Sequence, residues 1–467
     1  MRHPVALTFA LSSILLAWCV CAWALDPSLD VSQYAHKSWT VREGFFKGSV
    51  SSIAQTPDGY LWLGTEFGLL RFDGVRAVPW KPPQDQHLPS SHIDCLLAAR
   101  DGTLWIGTRN GLASWSGGKL TEYPELSGQF LFTLLEDREG TVWAGSMGVP
   151  PPGRLCAIHS GTVHCSGQDG SLGLAVFDLH EDQKGNLWAA TRDGVWRWKP
   201  GTAQFYPLSG ERSGLPSVGE DHDGTILIST RNGLGQIVNG KILPYPLPGT
   251  PLQFEAEKLL RDRDGSLWVG TLDGRLMHVH NGTTDVFGTS SGFSGGFVRN
   301  IFEDREGDIW IATMNGLDRF REFAVPTYNQ NQGLMTSGVT TVLADKDGSV
   351  WLGTIGGLNK WAGGQISTYA DGNVRGVSAP GKHDGTLSEG AVAPMLQDGR
   401  GRVWIESRRG QFGYIDRNRF TPVSAILVGW CSPSPRIARR MCGSLIKNSA
   451  FIVCRPRTPP NRFPGPR

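Results

Sequence analysis

The chain has 467 residues and a formal charge of +2, with its basic residues scattered, which gives ample length for a large core and excludes the basic footprint of a nucleic-acid binder. Its 61 glycines and 17 tryptophans point to many tight turns and to repeated packing of large rings.

At the N-terminus, Arg2 and His3 precede an apolar run at residues 5–24, and Ala22-Trp23-Ala24 fits a small-x-small cleavage site. Residues 1–24 therefore read as a signal peptide, which places a mature chain beginning at Leu25 in the periplasm. An uncleaved anchor helix is the rival, because the run is nearly long enough to span a bilayer. Cys19 and Cys21 raise a lipoprotein, but Trp18 and Val20 stand where such a site wants a small residue.

From residue 50 the apolar pattern alternates with period two. Residues 50–54 form a first strand, Asp58-Gly59 a turn, and Tyr60-Leu61-Trp62-Leu63-Gly64-Thr65 a second strand; Glu66-Phe67-Gly68 then turns into a third at 69–72, with a fourth at 77–80. The segment typified by Asp58-Gly59-Tyr60-Leu61-Trp62 recurs at Trp105, Trp143, Trp188, Trp268, Trp310, Trp351 and Trp404, and Leu227 takes the Trp place in a degenerate copy. Nine units of about forty residues follow, too small to bury their apolar faces alone.

The fold class is therefore all-β, a β-propeller of four-stranded blades. Seven units read as one closed propeller over residues 25–326, with residues 36–41 as a closing strand whose blade is left open; that strand aligns with the fourth-strand region around Tyr328. Two further blades, residues 327–423, begin a second propeller that stops short. One wide ring of nine is the alternative.

Each repeated Trp reads as a plate between adjacent blades whose indole N–H seeks an acceptor, with a sugar-stacking platform as the rival. Asp262 with Asp264, and Asp345 with Asp347, give D-x-D-G, but two carboxylates are too few for a calcium loop, so a turn bonded by Asp is expected and no metal. Asn239-Gly240, Asn281-Gly282, Gly117-Gly118 and Gly363-Gly364 fit two-residue hairpin turns. If Ser160-Gly161 is such a turn, Cys156 stands across from Cys165 on a non-hydrogen-bonded pair, and a disulfide is expected; two reduced thiols are the alternative. Cys95 reads as a small core residue.

The turns between second and third strands vary where their neighbours repeat: Glu66, Arg109, Met147, Arg192, Arg231, Leu272, Met314, Ile355 and Arg408. Arg109, Arg192 and Arg231, with Glu66, are the candidate ligand-binding residues at an axial mouth, where guanidinium groups suit a carboxylate or sulfate. Solvated arginines paired with Glu66 or a nearby Asp are the competing reading. No G-x-S-x-G elbow, H-E-x-x-H helix or phosphate loop is present, and the 11 histidines are dispersed, so no catalytic residue and no cofactor is expected.

After about residue 423 the pattern stops. Residues 431–467 are rich in Arg and Pro and carry no Asp or Glu, which reads as a disordered basic tail at 424–467. Its abrupt onset suggests a frameshifted reading frame; a genuine secreted protein with a partner-binding tail is the alternative.

Trp39-Thr40-Val41-Arg42-Glu43-Gly44, the run DGYLWLGTEFGLLRFDG at 58–74 and DGTLWIGTRNGL at 101–112 resemble the two-component regulator propeller repeat, over about residues 31–422. The resemblance implies the periplasmic sensor region of histidine kinases, hybrid two-component systems and diguanylate cyclases, often two seven-bladed propellers, a small sandwich domain and a membrane helix. It implies a non-catalytic input module whose partner is a small-molecule or oligosaccharide signal, anionic if the arginines engage it, with no nucleic acid. Membrane attachment would come only through a C-terminal segment missing here, and the full-length receptor is a candidate homodimer. A propeller lyase or hydrolase acting on a small molecule or polysaccharide, and a protein-binding scaffold, are the alternatives.

Overall fold

The computed structural model describes residues 25–27, 29–83, 86–148, 152–199, 201–208, 214–249, 253–323, 327–370, 373–375, 392–407, 412–416, 419–423, 426–427 and 451–452. The signal-peptide reading and, apart from residues 426–427 and 451–452, the basic-tail reading, with Cys19, Cys21, Arg408 and Cys431, lie outside the described residues. The chain divides into two compact units, Met1–Pro326 and Thr327–Arg467.

Among the described residues of the first unit, alternating short strands and positive-φ turns build seven four-stranded antiparallel sheets. Blade 1 comprises Val50–Gln55, Leu61–Thr65, Gly68–Phe72 and Ala77–Pro79. The inner strands of blades 2 to 7 are Ile93–Ala98, Phe130–Glu136, Val176–Glu181, Val218–Glu220, Ala256–Arg261 and Val298–Glu303. Successive inner strands pack on one another, and that of blade 7 returns to that of blade 1, so the sheets form a closed β-propeller. The outer strand of blade 7 is Ala35–Thr40, paired antiparallel with Gly316–Arg321. The chain's first strand thus completes the last sheet.

Three repeated devices hold the ring. First, each blade's Trp packs on the next inner strand: Trp62 with Leu96, Trp268 with Ile301, and Trp310 with Ile53 across the closure. Leu227 does the same with Ala256 in the degenerate repeat. Second, the indole N–H donates to an Asp six residues earlier, as in Trp143 to Asp137 at 2.7 Å, Trp188 to Asp182 at 2.8 Å and Trp310 to Asp304 at 2.7 Å. The other oxygen of that Asp accepts turn amides, such as those of Glu139 and Thr141, both at 3.0 Å. Third, in five of the seven blades a carboxylate or amide at the end of the inner strand accepts a turn N–H of the preceding blade: Arg100 to Glu136, Arg138 to Glu181, Gln183 to Glu220, Arg263 to Glu303 and, across the closure, Arg305 to Gln55 at 2.8 Å.

Glycine at the middle of the second strand has a packing reason. A Cβ on Gly145 would lie 2.8 Å from Val176 Cγ1 and 2.9 Å from Val176 O of the next blade, so only Gly lets the sheets approach this closely.

In the outer hairpin of blade 3, Ser160 and Gly161 both have positive φ, Cys156 opposes Cys165, and a disulfide joins them with Cα atoms 4.0 Å apart. Cys95 is buried and unpaired.

The second unit contains a five-stranded sheet (Val339–Ala344, Val350–Thr354, Leu358–Ala362, Gln365–Ala370, Asn373–Arg375) and a four-stranded one (Val392–Gln397, Val403–Ser407, Phe412–Asp416, Arg419–Pro422). Trp351 of the former packs on Met395 of the latter. A short parallel pair, Ile426–Leu427 with Phe451–Ile452, accompanies them. Val342 stands where Ile53 stands in blade 1, each opposite the residue after the Trp, yet Val342 is 60% exposed and Ile53 3%.

Candidate functional site

Six inner strands of the first unit carry a β-bulge at one repeated place, adding one residue at Ser51, Asp94, Phe132, Phe177, Glu257 and Arg299. A bulge re-aims a side chain without disturbing the register beyond it. The bulged residues and those just after them meet across the axis. Arg299 Nη2 of blade 7 lies 3.9 Å from Asp94 Oδ1 of blade 2, although blade 1 stands between them. Lys258 Nζ of blade 6 lies 4.0 Å from Asp178 Oδ1 of blade 4, with blade 5 between.

Arg109, on the second turn of blade 2, places Nε 3.6 Å from Asp94 Oδ2, and His92 Nε2 lies 3.4 Å from Asp94 Oδ1. Arg109 also sits over the Phe130 ring at 5.0 Å, and Phe130, Phe132 and Phe177 form an aromatic wall with ring centroids 4.5 and 4.9 Å apart. The mouth is therefore basic along blades 2 and 7 and aromatic along blades 3 and 4. Beside Arg299, whose Nη1 is 3.7 Å from Met314 Sδ, a cavity of about 850 Å³ opens between Thr40, Arg42, Ser294, Met314 and Asn315.

Burial dominates the electrostatics. It pushes the Asp94 carboxyl up to about 6 despite the opposing pull of Arg109 and Arg299. The two arginines fail to offset it because their contacts are long, and Asp94 Oδ2 is buried without a hydrogen-bond partner among the described residues. Burial likewise raises Glu257 to about 7, against Lys258. His92 is lowered by burial and then by Arg109 and Arg299. Arg299 is lowered by burial, reinforced by Arg109 and opposed by Asp94 and Glu66. Ser52 Oγ and Asn300 Oδ1, on neighbouring inner strands, are also buried without partners among the described residues.

Of the residues singled out in the sequence, Arg109 enters this cluster, and Glu66 is near enough to act on the charges of His92 and Arg299. Arg109 is paired with a carboxylate, as the competing reading required, but the partner is the buried Asp94. Arg192 and Arg231 are exposed on the equivalent turns of blades 4 and 5. Sequence reasoning missed His92, Asp94, Asp178, Glu257, Lys258 and Arg299. The signal was a charged residue breaking an apolar strand at one repeat offset, as in Ile93-Asp94-Cys95-Leu96 and Val298-Arg299-Asn300-Ile301.

Four stretches, residues 44–67, 87–110, 292–315 and 333–356, match the family model of the two component regulator propeller, and the chain carries repeats of that type. Among solved structures it resembles the extracellular domain of a hybrid two component system from B. thetaiotaomicron, with 19% identity and a TM-score of 0.59 over 85% of this chain and 55% of that one. A second such domain from B. thetaiotaomicron gives 20% identity and a TM-score of 0.50 over 80% and 52%. Virginiamycin B lyase from Staphylococcus aureus gives 15% identity and a TM-score of 0.50 over 62% and 100%. The chain spans about half the length of the two extracellular domains. No curated protein matches it. These likenesses establish the β-propeller fold. Among the described residues no helix is long and apolar enough to cross a membrane.

Proposed function

We propose that the protein is the periplasmic, non-catalytic ligand-sensing input module of a two-component or diguanylate cyclase signalling protein, taking an acidic oligosaccharide or related acidic small molecule at the axial mouth. The observation that carries the ligand reading is the buried Asp94 Oδ2, without a hydrogen-bond partner among the described residues, beside two guanidinium groups and an aromatic wall. A sugar acid answers all three features. A hydroxyl donates to Asp94, its carboxylate meets Arg109 and Arg299, and one ring face lies on Phe130. Arg192 and Arg231 extend the basic rim, and Glu66 keeps it from binding every anion equally.

The Cys156–Cys165 disulfide supports an oxidising compartment and hence export through residues 1–24. The four matching repeats support the sensing role. Titration calorimetry against uronate-containing and neutral oligosaccharides tests the reading. The uronates are expected to bind, and the Arg109→Ala/Arg299→Ala double variant to lose at least about tenfold in affinity. Unaltered affinity in that variant contradicts the pocket, and turnover of the bound ligand would favour a propeller lyase.

A further inference from the structure

Far from the axis, on the outer hairpin of blade 6, His278 and His280 project from one face of the strand Leu276–His280, and Asp285 of the paired strand Thr283–Phe287 reaches between them. Their ligand atoms all lie within 4.8 Å of one another. His280 Nδ1 is 2.7 Å from the carbonyl oxygen of Pro27, so that nitrogen carries the proton and donates. In a neutral ring Nε2 is then a lone pair, and it faces Asp285 Oδ2 at 2.8 Å. Two acceptors do not meet at that distance, so either a proton or a metal cation lies between them.

A proton on His280 would satisfy that pair but leaves His278 unanswered. His278 is fully buried, both its ring nitrogens lack a hydrogen-bond partner among the described residues, and its Nδ1 lies 3.7 Å from the same Asp285 oxygen. We propose that His278, His280 and Asp285 bind one divalent cation of the zinc class, which answers all three side chains at once. Such a cation takes bonds of about 2.0–2.2 Å to imidazole nitrogen and carboxylate oxygen, and the two rings, stacked 4.5 Å apart at 16°, turn toward one another to receive it. The supporting contacts are those such a site uses: the Pro27 carbonyl orients His280, and the Val31 N–H donates to Asp285 Oδ2 at 3.0 Å. Thr283 Oγ1, 3.3 Å from His280 Nε2, donates to the His280 carbonyl at 2.9 Å.

The site has a structural consequence. Pro27 and Val31 lie just before Ala35–Thr40, the strand that completes blade 7, so the cation would fasten the segment that leads into the closure. Asn281 Nδ2 donates to the Pro27 carbonyl at 2.9 Å and holds the same segment.

The test uses the purified chain, stripped with a chelator and titrated with Zn²⁺ by calorimetry and native mass spectrometry, and with Co²⁺ by visible absorption. One equivalent of Zn²⁺, tetrahedral-type Co²⁺ bands and a rise in Tm on adding Zn²⁺ are expected. Asp285→Asn and His278→Leu are each expected to weaken uptake at least about a hundredfold and to abolish the Tm rise. Wild-type protein that takes up neither metal stoichiometrically overturns the proposal whether or not the variants fold. So does uptake that survives in both variants, which would place the metal on other histidines.

Discussion

The recurrent indole is held by a carboxylate six residues before it, and the exceptions explain themselves. Thr56 Oγ1 accepts from Trp62 at 2.8 Å; Trp105, preceded by Ala99 at that offset, has no acceptor among the described residues; and Asp221, whose repeat has lost its Trp, accepts from the Tyr245 hydroxyl instead. Asp182→Ala should therefore cost about 1–3 kcal/mol, because it strands the Trp188 N–H and several turn amides, whereas Asp101→Ala, exposed and holding the Thr103 amide, should cost less than about 1 kcal/mol. Chemical denaturation compares them, and equal losses would contradict this division of roles. At the axis, Asp94 and Glu257 have folded-state values raised by burial to about 6 and about 7. A raised carboxyl contributes stability that is complete below its unfolded value near 4 and is lost as pH rises through the folded value. Wild-type Tm should thus fall between pH 5 and 8 and Glu257→Gln should fall less; identical slopes would refute the assignment. The turn glycines and the Trp were legible because each recurs at a fixed place in the repeat. The axial charges were not, since a bulge turns one residue out of the period-two pattern that sequence reading relies on.

At the level of strands and hairpins, local geometry carried far. A two-residue turn at Ser160-Gly161 fixes register outward from itself, so the opposition of Cys156 and Cys165 was readable without tertiary information. Alkylation without reductant is expected to add no mass at these two cysteines, and two labels there would deny the bridge. Closure is different, because it joins residues nearly three hundred apart. Residues 36–41 looked like a strand, but its blade could not be assigned, because the pairing of Trp39 with Leu317 depends on the ring coming full circle. Trp39 stacks on Trp310 at 5.6 Å and meets Phe72 edge-on at 5.3 Å, joining blade 7 to blade 1. Trp39→Ala should cost about 3–5 kcal/mol, as for other large aromatic truncations in a core. A loss below about 1 kcal/mol, read from the denaturation midpoint, would mean that this strand is dispensable to closure. The His278-x-His280 pair was overlooked for a related reason: Asp285 joins it through hairpin register, and Pro27 through the fold.

At the scale of the whole molecule, a repeat that cannot stand alone gains stability from its neighbours, and a closed ring gives every blade two of them. Closure also brings together seven inner strands that differ at one place, so chemistry can vary at the axis while packing repeats around it. The first unit places Asp94, Arg109, Arg299 and the Phe130–Phe132–Phe177 wall at one end of that axis. In the second unit, Val342 lies open where its counterpart Ile53 in the first unit is covered by Trp310. The most direct test of the account is hydrogen–deuterium exchange of the purified chain with and without a binding uronate oligosaccharide. Protection is predicted at the inner-strand starts and turns around residues 66–68, 92–95, 109–111 and 297–300, with the outer hairpins unchanged. Protection confined to the outer hairpins, with the axial turns unaffected, would contradict a sensor that reads its ligand at the mouth of the propeller.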